Sequence, residues 1–191
     1  MPRTGKEVCT MIKGKRLYLR PFKQQDLEVW VEYVNNFDYR GDYLPLNITN
    51  QVEINKKFNE NGLLGEDYGR LLICENETHR MLGYIVYFKT AHYLVGLEVG
   101  YVIFNPADRG KGYCSEALAL MTEWLFLTKE IMRLQVTVDM GNIGSRRAAE
   151  KCGYICEGTL RMAVFSRGEY KDIIMLSITR PEFGKSKAEN A

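Results

Sequence analysis

The chain has 191 residues, and its 26 Lys and Arg residues nearly balance its 24 Asp and Glu residues, for a formal net charge of +2. This near balance excludes broad electrostatic capture of nucleic acid as the role of the protein. A composition that is 46% hydrophobic and 12% aromatic excludes general disorder. The length predicts one globular domain, which we place at residues 12–180 between a flexible extension at 1–11 and a polar tail at 181–191.

The sequence carries none of the marks of a membrane, secreted or metal-binding protein. It contains no apolar run as long as a membrane span, and residues 1–20 have scattered charges where a signal peptide has an apolar centre. Five cysteines, an odd count, favour free thiols in a reducing compartment. The two histidines stand outside metal-ligand spacing. We therefore expect a cytoplasmic location, no metal, no membrane partner and no nucleic-acid partner.

Hydrophobic periodicity predicts one strand and two helices in the first third of the chain. In chain order the segments are a strand at 12–20, a helix at 24–36, a turn-rich loop at 37–48 and a helix at 50–60. The first helix is predicted from apolar residues spaced three and four apart, which places them on one face: Leu27, Trp30, Val31 and Val34.

The remainder of the chain is strand-rich. The segments are a hairpin at 70–74 and 81–88, a strand at 95–104, a helix at 115–128, a strand at 132–138, a short helix at 142–152 and a hairpin at 154–165 and 170–178. A strand–helix–strand connection is normally a right-handed parallel crossover, so the strands at 95–104 and 132–138 are expected to be parallel. This order predicts an α/β domain with a mixed sheet.

A glycine-containing loop connects the strand at 95–104 to the helix at 115–128. Gly110 and Gly112 allow a tight turn in which successive N–H groups point into one concavity, beside the unpaired N–H groups of the helix start. Arg109 and Lys111 add positive charge, so the loop suits a pyrophosphate. The Walker pattern is absent, and the dinucleotide fingerprint fails at Ser115. From these residues alone, an ordinary strand-to-helix turn that binds nothing stays open.

The segment 109–114 resembles the R/Q-x-x-G-x-G/A loop of the GNAT superfamily of acyl-CoA-dependent N-acyltransferases. Further segments resemble its RimJ/RimL-type branch in the correct order: 14–21, 112–117, 142–146, 150–154, 157–161 and 168–172. The resemblance covers 12–181. It implies an α/β (α+β) fold with a mixed, mostly antiparallel seven-stranded sheet, flanking helices and a central parallel β-α-β crossover.

The resemblance also implies acetyl-CoA as cosubstrate. Loop amides would hold the CoA pyrophosphate, and the pantetheine arm would pair with the strand at 95–104 where it diverges from the strand at 132–138. Asn142 matches a family asparagine near this arm, although a plain helix N-cap explains it as well. The cofactor-binding residues implied in this way are Val102, Ile103, Arg109, Gly110, Lys111, Gly112, Tyr113, Cys114, Ser115 and Asn142.

In this family the amine usually attacks acetyl-CoA directly, and a carboxylate takes its proton. Glu98 matches that carboxylate, because it lies on the strand beside the cofactor gap. Alternation places it opposite Leu97 and Val99, so a solvent-facing or cation-paired glutamate is the alternative.

The general acid is harder to assign. Many family members carry a tyrosine in Y-x-x-x-G-F, and this chain has Ala149 at that position. Ser145, at the start of the same helix, is a substitute general acid, and the alternative is that it only caps the helix. Without a general acid, the CoA thiolate leaves unassisted or takes its proton from water. Cys114 at a helix N-terminus has the position of a nucleophile, but a small residue packed against the cofactor is the favoured interpretation.

In the family the acceptor site lies between the first two helices and beside the last hairpin, here 37–48 and parts of 161–170. Acidic and aromatic residues there suit a cationic amine, and a solvated loop is the alternative: Asp38, Tyr39, Asp42 and Tyr43. RimJ/RimL-type relatives acetylate protein N-terminal amines, and similar proteins act on polyamines, amino acids or antibiotics. Three functions stay open: a protein N-terminal acetyltransferase, a small-amine acetyltransferase, and a non-catalytic CoA-binding sensor. A homodimer through strand edges also stays open.

Overall fold

The computed structural model describes residues 11–92 and 95–189, with side chains described as far as 185. The strands are β1 (Ile12–Lys13), β2 (Leu17–Arg20), β3 (Tyr68–Glu75), β4 (Met81–Phe88), β5 (Gly96–Ile103), β6 (Arg133–Asp139), β7 (Ile155–Ser166) and β8 (Glu169–Thr179). The helices are α1 (Asp26–Asn35), α2 (Phe37–Arg40), α3 (Gln51–Asn61), α4 (Tyr113–Thr128), α5 (Ile143–Lys151) and α6 (Arg180–Glu189).

One sheet contains all the strands named above, in the order β1-β2-β3-β4-β5-β6-β8-β7. Neighbouring strands are antiparallel except β5 and β6, which are parallel and are connected through α4. The predicted mixed, mostly antiparallel sheet with one parallel crossover is confirmed. In the described part of the chain the sheet has eight strands where seven are predicted. The amide of Gly14 donates to the carbonyl of Leu17 at 2.8 Å and folds 12–20 into two short antiparallel strands.

Each face of the sheet has its own apolar core. On one face α4 contributes Leu118, Met121 and Leu125, which are all 0% exposed. On the other face the predicted stripe of α1 is buried, and Trp30 at its centre is 2% exposed. Burial of these stripes stabilises the fold by roughly 25 cal/mol for each Å² of apolar surface removed from water. The packing fixes α4 and α1 on opposite faces of the sheet.

Two segments have more regular structure than predicted. The turn-rich loop contains the short helix α2, whose start is capped by the side chain of Asn36. The segment expected to be a polar tail is helical as far as it is described, in α6 (Arg180–Glu189). Arg180 anchors α6 through guanidinium hydrogen bonds of 2.7–2.8 Å to the carbonyls of Phe126, Lys129 and Ile131. These partners are about fifty positions away in the chain, so sequence periodicity does not show them.

Among the described residues, no helix combines the length and the apolar character that crossing a bilayer requires.

Candidate active site

Strands β5 and β6 separate partway along their length. Their parallel pairing begins at Gly96 and ends at Glu98 of β5, whereas β5 continues to Ile103. Beyond Glu98 strand β6 keeps its pairing with β8 on its other edge. The two strands therefore diverge, as the resemblance implies, and an extended ligand segment can pair with the exposed β5 edge in the manner of an added strand.

The glycine-containing loop opens directly onto this gap. Gly110 and Gly112 have φ angles of 74° and 85°, in the left-handed region that favours glycine. Gly112 is the N-cap residue of α4, and no side chain caps the helix start. The first N–H groups of a 16-residue helix are thus left for a ligand, and the helix dipole favours a negative one.

Two carboxylates near the loop are neutralised by cations. Asp108 is 5% exposed and accepts from Arg80 at 2.6 Å and from Lys111 at 3.1 Å. The Arg80 hydrogen bond, ahead of the opposing effect of burial, holds the pKa of the Asp108 carboxyl below its usual value. Glu116, in the first turn of α4, accepts from the side chain of Arg16 at 2.9 Å. The glycine-containing loop and the first turn of α4 together form a backbone cradle. An anion bound in this cradle would not be repelled by Asp108 or Glu116, since both carboxylates are paired.

The two loop cations expected beside the phosphate groups have other partners. The Arg109 guanidinium donates to the carbonyls of Ile103 and Phe104, at 3.1 and 3.0 Å, and to the carbonyl of Tyr39. Lys111 pairs with Asp108 and lies outside the cavity lining. The groups that the loop leaves for an anion are therefore its backbone N–H groups, and Arg109 connects the loop to the segment that precedes α3.

A cavity of about 500 Å³ lies between the loop, β5, α5 and the segment 40–44. It brings together most of the residues that the sequence singles out: Asp42, Tyr43, Val102, Ile103, Arg109, Gly110, Gly112, Tyr113, Cys114, Ser115, Asn142 and Ser145. The residues singled out that lie outside its lining are Asp38, Tyr39, Glu98 and Lys111. Side chains that sequence reasoning missed also line it, among them Arg40, Tyr101, Arg147 and Lys151.

The start of α5 carries a hydrogen-bonded group at the cavity wall. Asn142 accepts from the Ser145 amide at 3.0 Å, so it caps α5 and lines the cavity at once. The Tyr101 hydroxyl lies 2.9 Å from Oγ of Ser145 and donates to the Ser145 carbonyl at 3.1 Å. Burial raises the pKa of Tyr101, which keeps the phenol protonated at neutral pH. Tyr101 was missed because strand alternation alone marks it as a core-facing residue.

Glu98 occupies the last paired position before β5 and β6 diverge. Its side chain is 9% exposed and accepts from Nε2 of Gln135 at 3.0 Å and from the Thr137 hydroxyl. Within the described part of the chain, no Lys or Arg forms an ion pair with it. Glu98 is therefore a buried carboxylate that two uncharged donors hold at the vertex of the gap, and it is neither solvent-facing nor cation-paired.

The segment at 37–48 is connected to the site through backbone carbonyls. The Tyr43 hydroxyl donates to the Gly141 carbonyl at 2.8 Å, and Arg167 of the last hairpin donates to the Gly41 carbonyl. Asp42 and Tyr43 thereby reach the cavity. Asp38 is exposed, and the Tyr39 ring packs on Tyr33 with ring centroids 5.5 Å apart.

Cys114 lines the cavity with a protonated thiol. Burial raises its pKa to about 12, in spite of the helix N-terminus that would lower it. Cys152 is similar, since burial raises its pKa to about 11 and its Sγ donates to the Ser115 carbonyl at 3.1 Å. Neither thiol is set up as a nucleophile at neutral pH, which agrees with packing as the role of Cys114.

Comparison with known proteins agrees with this geometry. The family described as acetyltransferase (GNAT) domain matches residues 16–155. YnaD of Bacillus subtilis strain 168, named as an uncharacterized N-acetyltransferase, is 27% identical over 172 residues, which cover 90% of this chain and 98% of the relative.

Two solved structures share the fold. The RimL ribosomal-protein alpha-N-acetyltransferase in complex with coenzyme A has a TM-score of 0.76 at 20% identity, over 89% of this chain and 98% of its own. The spermidine N-acetyltransferase of Vibrio cholerae, in complex with CoA and spermine, has a TM-score of 0.75 at 19% identity, over 89% and 99%. With the family match over most of the domain, these findings identify the chain as a member of the GNAT acetyltransferase family.

Proposed function

We propose that this protein transfers the acetyl group of acetyl-CoA directly to a protein N-terminal amine, as a RimJ/RimL-type enzyme. The observation that carries the proposal is the divergence of β5 from β6 beyond Glu98, next to an uncapped helix start. An extended arm with a pyrophosphate at one end and a reactive thioester at the other matches these two features.

The cosubstrate fits the residues that surround the cavity. Backbone N–H groups of the loop and of the first turn of α4 would hold the pyrophosphate. The β5 edge at Val102 and Ile103 would pair with the amides of the pantetheine arm. When bound, acetyl-CoA supplies an activated acyl carbon that an amine can attack.

Glu98 is the general base in this proposal. An amine attacks only as the neutral base, so its proton must be removed, directly or through one water. The carboxylate at the vertex of the gap is held by Gln135 and Thr137, which fixes its direction without a competing cation. A side chain that is 9% exposed is also shielded from bulk water.

Ser145 assists the leaving thiolate in this proposal. Its hydroxyl lines the cavity at the start of α5, beside the protonated Tyr101. Ser145 donates a proton or a hydrogen bond to the sulfur as the carbon–sulfur bond breaks. Tyr101 orients the serine. It replaces in part the tyrosine that many family members carry at the position of Ala149. In this proposal the amine attacks acetyl-CoA directly without an acyl-enzyme, and the raised pKa of the buried Cys114 thiol disfavours it as a nucleophile.

The rim of the cavity favours a peptide acceptor over a polyamine. Beside the cavity Tyr43, Met140 and Ile143 are 44%, 53% and 58% exposed, an apolar rim suited to the first side chains of a protein N-terminus.

The experiment is a thiol-release assay with acetyl-CoA and three acceptor classes: short peptides with different N-terminal residues, spermidine, and single amino acids. We expect thiol release with peptides and acetylation at the α-amino group by tandem mass spectrometry. Turnover with spermidine alone would replace the proposed substrate by the small-amine class to which the Vibrio cholerae protein belongs. CoA binding without turnover on any acceptor would favour a sensor.

A further inference from the structure

Arg70 of β3 carries a guanidinium group that has aromatic neighbours but no anionic partner. Its Cζ lies 4.5 Å from the ring centroid of Trp30, 5.0 Å from that of Tyr84 and 5.7 Å from that of Tyr68. Its Nε and Nη1 atoms are buried and have no hydrogen-bond acceptor among the described residues, and the same holds for Nε1 of Trp30. Three unpaired N–H donors therefore lie in one cluster.

The aromatic rings satisfy only part of what this guanidinium can bind. Contacts with ring faces attract the positive charge but leave the N–H donors in the plane of the guanidinium free. Those donors form a planar fork that matches a carboxylate. Because Arg70 is only partly buried, an anion from outside the chain can reach it. The cluster therefore has the chemistry of a carboxylate site that the chain itself leaves unfilled.

Arg70 lies on the same face of the sheet as Glu98, the proposed base. Arg70 is paired with Val86 of β4, and Val86 is paired with Gly100 of β5, so the three form one row across the sheet. Glu98 is two residues from Gly100 on β5 and therefore shares its face. The row spans two strand spacings, which is about 10 Å. An amine at Glu98 and an anion at Arg70 would thus be joined by roughly two or three residues of extended peptide, at about 3.3 Å each.

The surface of β5 beside Glu98 is open on this face. A Cβ atom on Gly100 would meet Val86 at 3.3 Å and Phe88 at 4.0 Å, both on the adjacent strand β4, and no other described element lies within that distance. Gly100, Val86 and Phe88 are all partly exposed. The missing side chain at Gly100 therefore leaves room for a chain that runs from Glu98 toward Arg70.

We propose that Arg70 binds an acidic side chain of the acceptor, so that the enzyme selects protein N-termini with Asp or Glu at the second or third position. This inference rests on the proposed function, because it assumes a peptide amine at Glu98. The guanidinium would donate two parallel N–H bonds to the carboxylate, while the rings of Trp30 and Tyr84 hold it in place. Arg70 thereby gains the charge-assisted hydrogen bonds that the chain does not supply.

The test is a thiol-release assay with two pairs of peptides, which differ only in Glu or Gln at the second position or at the third. We expect the wild-type protein to have a kcat/KM at least tenfold higher for the Glu peptide of one pair, mainly through a lower KM. In Arg70→Gln this preference falls to within twofold, and turnover of the Gln peptide is kept, which shows that the variant is folded. Arg70→Lys keeps the charge and loses the fork, so its preference falls severalfold.

Lys89→Gln is the matched control. It removes one positive charge from a separate hollow, beside the end of α4, and keeps the preference. Equal kcat/KM values within both peptide pairs for the wild type, or an unchanged preference in the Arg70 variants, overturn the subsite and leave the proposed function intact. If Arg70→Gln loses turnover of both peptides, Arg70→Lys decides in the same way. A wild-type protein that acetylates no peptide overturns the proposed function and the subsite with it.

Discussion

Tyr101 of β5 and Ser145 of α5 place their hydroxyl oxygens 2.9 Å apart at the wall of the cavity. The two residues are 44 positions apart in the chain, and their contact connects the diverging strand to the helix that begins at Asn142. Because the hydroxyl of Tyr101 also donates to the Ser145 carbonyl, it fixes both the backbone and the side chain of the proposed proton donor.

Tyr101→Phe is expected to lower kcat about tenfold and to leave the Kd of CoA unchanged, because an unfixed Ser145 adopts several rotamers. Stopped-flow thiol release and calorimetry measure the two quantities. Ser145→Ala combined with Tyr101→Phe should cost little more than Ser145→Ala alone, since the two act as a unit. If the two substitutions lowered kcat independently, so that their effects multiplied in the double variant, Tyr101 would not act through Ser145. Tyr154→Phe, which removes a buried hydroxyl bonded to Thr122, is the control and keeps kcat.

Glu98→Gln is expected to lower kcat by about 10² or more, because the amide keeps the size of the side chain and cannot take the proton of the amine. The Kd of CoA should stay within twofold, since Glu98 lies outside the cavity lining. The control is Glu150→Gln on the surface of α5, which keeps full activity. Unchanged turnover in Glu98→Gln would remove this residue from the reaction.

Gly112→Ala is expected to weaken CoA binding about tenfold. The φ of 85° strains any side chain, and a Cβ atom would lie 3.2 Å from the Arg16 guanidinium behind the cradle. Gly62→Ala has a similar φ of 63° with open space around it, at the end of α3. Both variants should lose roughly 1 kcal/mol of stability. Calorimetry should show weaker CoA binding in Gly112→Ala alone, and equal effects of the two variants would contradict a role for the cradle.

Cys114→Ala is expected to keep turnover within about threefold. Burial raises the pKa of the Cys114 thiol to about 12, so the thiol is protonated at pH 7 and is a poor nucleophile. Intact-protein mass spectrometry after incubation with acetyl-CoA should show no acetyl adduct on the wild-type protein. A stable acetyl adduct at Cys114, or loss of turnover in the variant, would replace direct transfer by a two-step reaction.

Asp26→Asn is expected to destabilise the fold by about 3 kcal/mol at pH 7, because it leaves the largely buried Arg20 without its charged partner at 2.6 Å. Burial alone would raise the pKa of the Asp26 carboxyl, but the Arg20 hydrogen bond and the Lys23 amide lower it. A lowered folded pKa means that the stabilisation is complete above the ordinary carboxyl pKa and is lost as pH falls through the folded value. Urea unfolding should show the gap between variant and wild type narrowing below about pH 4.

The exposed pair of Asp67 and Lys89, 3.6 Å apart, provides the control for this measurement. Asp67→Asn should change the stability by less than about 0.5 kcal/mol at either pH. If Asp67→Asn is as destabilising as Asp26→Asn, the contribution of the Arg20–Asp26 ion pair to stability does not come from its burial.

Local patterns in the sequence determined the elements that form the frame of the site. Apolar spacing predicted α1 and α4, alternation predicted β5 and β6, and glycine next to a helix start predicted the cradle. These features depend on neighbours within a few positions, which is why they can be read along the chain. The same patterns failed at α6, where the anchoring carbonyls lie on α4 and the loop after it.

Only the tertiary structure decided which side chains meet. It paired Tyr101 with Ser145, turned Arg109 away from the cradle and toward Tyr39, and placed Arg70 against three aromatic rings. It also placed Glu98 between two uncharged donors, where alternation allowed a surface position. The physical reason is that hydrogen bonds and ion pairs act over about 3 Å in space, and the chain brings residues from distant positions within that distance only when the sheet and helices pack.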